Sequence, residues 1–113
     1  MNLEIWAENI PKEEKNRLLE NCCKESSSVK LIFPEGGKLE KRLERLEEAD
    51  TDPWIVISSE QRILTLAAEK NVTAIGYQPP HSGCFLKADM VVEGFEEIDP
   101  GFFQRIYERH FQI

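Results

Sequence analysis

The chain has 113 residues, 21 acidic against 14 basic, for a formal net charge of −7. That length suits one domain, residues 1–113, with a single core, and the acidic balance argues against nucleic acid or an anionic membrane as partner, since both select basic surfaces. Apolar residues make up 41 %, too many for a disordered chain, but no apolar run approaches the roughly 20 residues of a membrane span.

The opening MNLEIWAENIPKEEK carries acids where a signal peptide carries positive charge, which makes a cytoplasmic protein the expectation. Its apolar stretch at residues 3–7 is the first strand. After Pro11, residues 12–24 place Leu18, Leu19 and Cys22 at helical spacing above a face of Lys and Glu. Cys22, Cys23 and Cys84 are an odd number without a two-residue spacer, so neither a disulfide framework nor a zinc site is expected. Residues 29–33 form a second strand, broken by Pro34-Glu35-Gly36-Gly37. Gly36-Gly37-Lys38 lacks the Ser or Thr of a phosphate-binding loop, because Leu39 follows the lysine, and it reads as a turn into a helix. That helix, 38–49, buries Leu39, Leu43 and Leu46 and leaves Glu40, Lys41, Arg42, Glu44 and Arg45 on a solvated side.

Trp54-Ile55-Val56-Ile57 is apolar at every position, the mark of a central parallel strand covered on both faces. Ser58 or Ser59 is placed to cap the next helix, with Ile63, Leu64, Ala67 and Ala68 inward and Asn71 at its end. Residues 72–77 are the fourth strand. The loop QPPHSGCFLK has no helical pattern, so the fifth strand, 88–92, is expected to be a short edge strand. In that loop His81, Ser82 and Cys84 admit a thiolate pair, or simply a Pro-Pro turn with a polar tip. Pro100 opens a last helix bearing Phe102, Phe103, Ile106, Tyr107, His110 and Phe111. Strands alternating with helices imply right-handed crossovers, and so a three-layer α/β sandwich on a Rossmann-like parallel sheet of five strands in the order 2-1-3-4-5.

The segments WIVISSEQRILTLAAEKNVTAIGY and ADMVVEGFEEI, within residues 53–98, resemble the C-terminal half of haloacid dehalogenase-like (HAD-like) hydrolases. The resemblance implies a Rossmann-like sheet but not the family's chemistry. Its nucleophile is the first aspartate of Asp-x-Asp at the end of strand one, where this chain has Trp6 and Glu8. Its strand-two Ser/Thr falls at Pro34-Glu35, and its magnesium-binding acid at Ser58-Ser59, with Glu60 alone still acidic. A neutral hydroxyl is a poor replacement for a carboxylate in a magnesium site. The ending VVEGFEEIDPGFFQRIYERHFQI is similar to a small α/β domain that precedes GNAT-type acetyltransferase domains.

In an open parallel sheet ligands sit beyond the carboxyl ends of the strands where strand order reverses. Here that crevice lies between strands one and three, rimmed by Glu8, Asn9, Pro34, Glu35, Ser58, Ser59 and Glu60. It reads either as a pocket for a small molecule or cation, or as a helix cap beside solvated glutamates; three acids oppose an anion. The expectation is a non-catalytic accessory, interaction or regulatory domain, with no catalytic residue, cofactor or metal. The alternative is a hydrolase or phosphatase with an atypical site at Glu8, Ser58 and Glu60. Trp6 and Trp54 are expected as core or lid aromatics and His110 as a packing residue. The apolar groups of the last helix, Phe102, Phe103, Ile106, Tyr107 and Phe111, exceed what one face is expected to bury. With Phe85 they are expected to make a homodimer contact or to dock an adjacent domain, the alternative being that a short fifth strand leaves room to bury all five.

Overall fold

Five parallel strands hydrogen-bond in the order β2-β1-β3-β4-β5. They are β1 (Leu3–Glu8), β2 (Val29–Ile32), β3 (Trp54–Ser58), β4 (Thr73–Tyr77) and β5 (Met90–Val92). The helices are α1 (Lys12–Cys23), α2 (Lys38–Glu44), α3 (Gln61–Glu69) and α4 (Pro100–His110). This computed structural model describes residues 3–23, 29–46, 53–79, 86–96, 98 and 100–110. The order is that of a doubly wound flavodoxin-like sheet. Among the described residues no helix is long and apolar enough to cross a membrane.

Side-chain alternation along the strands sorts the core into two halves. Leu3, Ile5 and Ala7 of β1 pack with Ile55, Ile57, Ile75, Leu18 of α1 and Phe103 and Ile106 of α4. Trp54, Val56 and Ala74 pack instead with Leu39 and Leu43 of α2 and Ile63, Leu64 and Ala67 of α3, with Trp6 against them. Helices therefore cover both faces, and β3 and β4 are buried at every position. That is why residues 54–57 carry no polar alternation. The edges differ: β2 and β5 are short and only partly buried.

Several boundaries depart from the pattern. The first and third strands run one residue further, to Glu8 and Ser58, since those two pair across the ladder. The fifth begins at Met90, because Asp89 is spent fastening the sheet: its carboxylate accepts from the Ala74 N–H (2.9 Å) and its own N–H donates to the Ala74 carbonyl (3.1 Å). The second helix ends at Glu44 instead of running to 49, although Leu46 still packs on the core; residues 47–49 lie outside the described residues. Its entry is as read: Gly36 and Gly37 take φ of 66° and 77°, a left-handed turn that favours glycine. Ala68 points to solvent, because the stripe Ile63-Leu64-Ala67 already meets the sheet and the next position turns away. Arg42, assigned to the solvated side, is folded over Trp6 and Trp54. Asn71 does end α3, in the left-handed conformation at φ 56°.

A buried carboxyl ties α1 to the segment after β5. Glu14 is 5 % exposed; its Oε2 accepts from the Phe95 N–H at 2.7 Å, and Arg17 pairs with its other oxygen. Asn21 donates to the Phe95 carbonyl at 2.8 Å, and Phe95 itself is fully buried, stacked on Tyr77. The cysteine side chains of 22 and 23, and His81, Ser82, Cys84 and Phe85, lie outside the described residues.

Candidate functional site

Register places the crevice. Glu8 stands opposite Ser58, and Ser58 opposite Gly76, so the last rungs of β1, β3 and β4 form one row at the carboxyl end. By alternation from Trp6 and Val56, Glu8 and Ser58 share the α2/α3 face. Burial first, then the neighbouring charges of Glu60 and Glu40, push the half-buried Glu8 carboxyl above its ordinary range, and Arg62 offsets part of this.

The two serines are engaged within the rim. Ser58, fully buried, accepts a hydrogen bond from the Glu60 N–H at 3.1 Å. This is a local serine turn, and it corrects the expected cap: Glu60 holds the N-cap position of α3 with no side-chain cap bond. Ser58 lies two residues too early, still inside the strand. Ser59 reaches the other way and donates to the Asn9 carbonyl at 2.5 Å, bracing β1 against β3. Asn9 takes φ 59°, a conformation that asparagine tolerates better than most residues, where the chain turns off β1.

Glu40 and Arg62 belong to this site and were not legible as such. Arg62 pairs with Glu40 across the helices and with Glu60 at 3.4 Å. Both sit in first turns of helices that share one face of the sheet, which is the only signal they carry. Glu35 is exposed, and among the described residues no bond joins it to the Glu8 group. Pro34 beside it is buried.

The rim is closed on its β4 side. The Gln61 amide bonds both backbone groups of Lys87, accepting from its N–H at 2.7 Å and donating to its carbonyl at 3.1 Å. Gln78 accepts from the Leu86 N–H at 2.9 Å. Leu86 then packs onto Gly76, where an added Cβ would lie 3.3 Å from both Leu86 and Leu64. A glycine at this point lets the returning segment approach the sheet. Among the described residues, no three His, Cys, Asp or Glu groups converge as metal ligands.

The chain matches no protein-family model, and no curated protein and no solved structure is significantly similar to it. The site must therefore be read from its own chemistry. It holds one carboxyl whose pKa burial and neighbouring acids raise, and two serines whose hydroxyls are engaged with backbone. No histidine or cysteine from the described residues joins them.

The last helix also differs from expectation. Phe103 and Ile106 lie in the chain's own core, 0 % and 6 % exposed, so neither is surface for a partner. Phe102 and Tyr107 are half-buried and pack on the same core; Phe111 lies outside the described residues. The short β5, with Phe95 and Ile98 beside it, leaves room that a longer edge strand would fill. His110, its side chain 13 % exposed, also makes polar contacts that the sequence does not announce: Nδ1 lies 2.7 Å from Asp89 Oδ1 and Nε2 3.1 Å from Asn71 Oδ1.

Proposed function

We propose that this chain is a non-catalytic HAD-like domain that works through interaction or regulation. The supporting observation is the state of the hydroxyls at the carboxyl end of the sheet. A serine nucleophile needs an adjacent base to take its proton and room for the attacked atom. Ser58 is fully buried and accepts from a backbone N–H, while Ser59 gives its proton to a backbone carbonyl. The carboxylates around them, Glu8, Glu40 and Glu60, oppose a phosphate ester. The partner this reading carries is a protein or an adjacent domain, and the resemblance of the final stretch makes a GNAT-type acetyltransferase the first to look for in the same gene or operon.

One observation favours a second reading. A carboxyl with a raised pKa in a crevice is suited to general-acid chemistry, and Glu8 is such a group. Hydrolysis of p-nitrophenyl phosphate with magnesium, at pH 5 to 8, separates the two. The proposal expects no turnover above a heat-denatured control. Turnover that Glu8→Gln abolishes, in a variant that stays folded, would replace it with the hydrolase reading.

A further inference from the structure

Two tryptophans that the crevice does not use meet on the α2/α3 side of the sheet. Trp6 and Trp54 stand edge-on, ring centroids 5.9 Å apart and planes at 79°. The Arg42 guanidinium lies over both, 4.0 Å from the Trp54 ring centre and 4.5 Å from that of Trp6. Glu4 closes a third side: its Oε1 accepts from Arg42 Nη1 and from Trp6 Nε1, each at 3.0 Å. Two electron-rich ring faces and a carboxylate converging on one point make a cation-binding corner. The cation now seated in it is the chain's own.

The way Arg42 sits marks it as a replaceable occupant. A guanidinium meets a carboxylate best through two parallel N–H···O bonds. Arg42 makes one, and among the described residues no second hydrogen bond of its head group accompanies it. Its side chain is 26 % exposed and that of Glu4 36 %, so the corner opens to solvent. Its helix has seven residues and enters from a two-glycine turn without a side-chain cap; Leu39 and Leu43 anchor it in the core independently of Arg42. The Trp6 N–H donates to the same Glu4 oxygen at 3.0 Å, so the indole holds the carboxylate by a bond of its own beside that of the guanidinium.

The geometry points to the Trp6–Trp54–Glu4 corner as a binding site for an arginine side chain of a partner protein, with Arg42 as the internal occupant that the incoming guanidinium replaces. The guanidinium already lying over both rings shows which cation they fit, and a net charge of −7 favours a basic partner. The corner is separate from the Glu8 crevice, so the inference stands whether or not that crevice catalyses anything. Being tethered, Arg42 competes at an effective concentration in the millimolar range or above. Free arginine is therefore held weakly by the wild type, and a partner displaces Arg42 only by adding contacts around the corner.

The test titrates Nα-acetyl-arginine methylamide into wild type and R42A, following tryptophan fluorescence and the Trp6 indole N–H signal. R42A is expected to bind at least about ten-fold more tightly than wild type. The lysine analogue should bind less well, and E4Q added to R42A should abolish the response. If R42A does not fold, R42M, which keeps an aliphatic stem over the rings, carries the same titration. No response in a folded variant, or equal responses in variant and wild type, overturns the proposal. So does failure of both variants to fold, which would make Arg42 a structural residue.

Discussion

Glu4 and Glu8 rise from the same face of the same strand, yet their carboxyls are pushed in opposite directions. Glu4, at the amino end of β1, accepts from Trp6 and Arg42 and is held below the ordinary carboxylate range. Glu8, at the carboxyl end, is more buried and faces Glu60 and Glu40, and it is held above that range. Strand, residue type and facing are shared; what differs is first the burial of Glu8, and then whether donors or other acids surround the carboxyl. In an open α/β sheet the carboxyl end is also where ligands sit. The stabilising arrangement is at one end of the strand, and the one that Arg62 offsets only in part lies at the end where ligands sit.

If pairing rather than burial decides what a carboxyl does for this fold, Glu14 is the strongest test. It is nearly fully buried but accepts from the Phe95 N–H and pairs with Arg17. Glu14→Ala leaves that N–H and the guanidinium without their acceptor, and the expected loss is about 2–4 kcal/mol. Glu14→Gln keeps an acceptor for Phe95 and should cost about half as much. Urea unfolding monitored by circular dichroism checks both. A loss for Glu14→Ala below about 1 kcal/mol would show that the Phe95 segment is held by its apolar packing, and would undo the pairing argument.

Glu8 sharpens the comparison from the other side. Its folded pKa lies above its unfolded value, so between the two the native state holds more protons than the unfolded chain, and stability falls as pH rises through that window. Above the window the charged form carries the full penalty. Glu8→Gln should therefore stabilise the protein at pH 7, by up to about 1 kcal/mol, and the gain should shrink as pH falls toward about 4.3, the ordinary glutamate value. Thermal melts of both proteins at pH 7, 5.5 and 4.2 test this. A variant less stable than wild type at pH 7 would mean that Glu8 has a favourable partner in the fold, and the contrast with Glu4 would collapse.

How far these features could be read in advance depended on their range. The unbroken apolar run Trp54–Ile57 places β3 at the centre because no helix-covered parallel strand needs a polar face. The absent helical pattern after Tyr77 foretold the short edge β5. Both are local signals. Arg42 was illegible because α2 alone shows only a polar position among other charges; its place above Trp6 and Trp54 comes from setting that helix across two strands distant in sequence. Glu40 and Arg62 needed the same knowledge, that α2 and α3 share a face. The Gln61 clamp on Lys87 joins two segments whose approach nothing local announces. Ser58 and Ser59 show a milder failure: the residue types suited a cap, but the strand ran one residue further than the pattern implied, and both hydroxyls turned to other partners.

The smallest expected effect is at Glu4, and its sign matters more than its size. Its folded pKa lies below the unfolded value, so its contribution is fully present above about 4.3 and is lost as pH falls through the folded pKa. The carboxylate is more than a third exposed, and solvent screening keeps such a pair below about 1 kcal/mol. Glu4→Gln should therefore weaken the protein slightly at pH 7, and the difference should vanish under acid. Salt should shrink the Arg42 part of the effect, because exposed pairs are screened, while the hydrogen bond from the Trp6 indole should persist. Melts of Glu4→Gln and wild type at pH 7 and pH 3, each at low and high sodium chloride, separate the two contributions. A Glu4→Gln gain at pH 7, matching the one expected for Glu8→Gln, would show that the two ends of β1 are electrostatically alike and that the donors around Glu4 do not offset the cost of burying it.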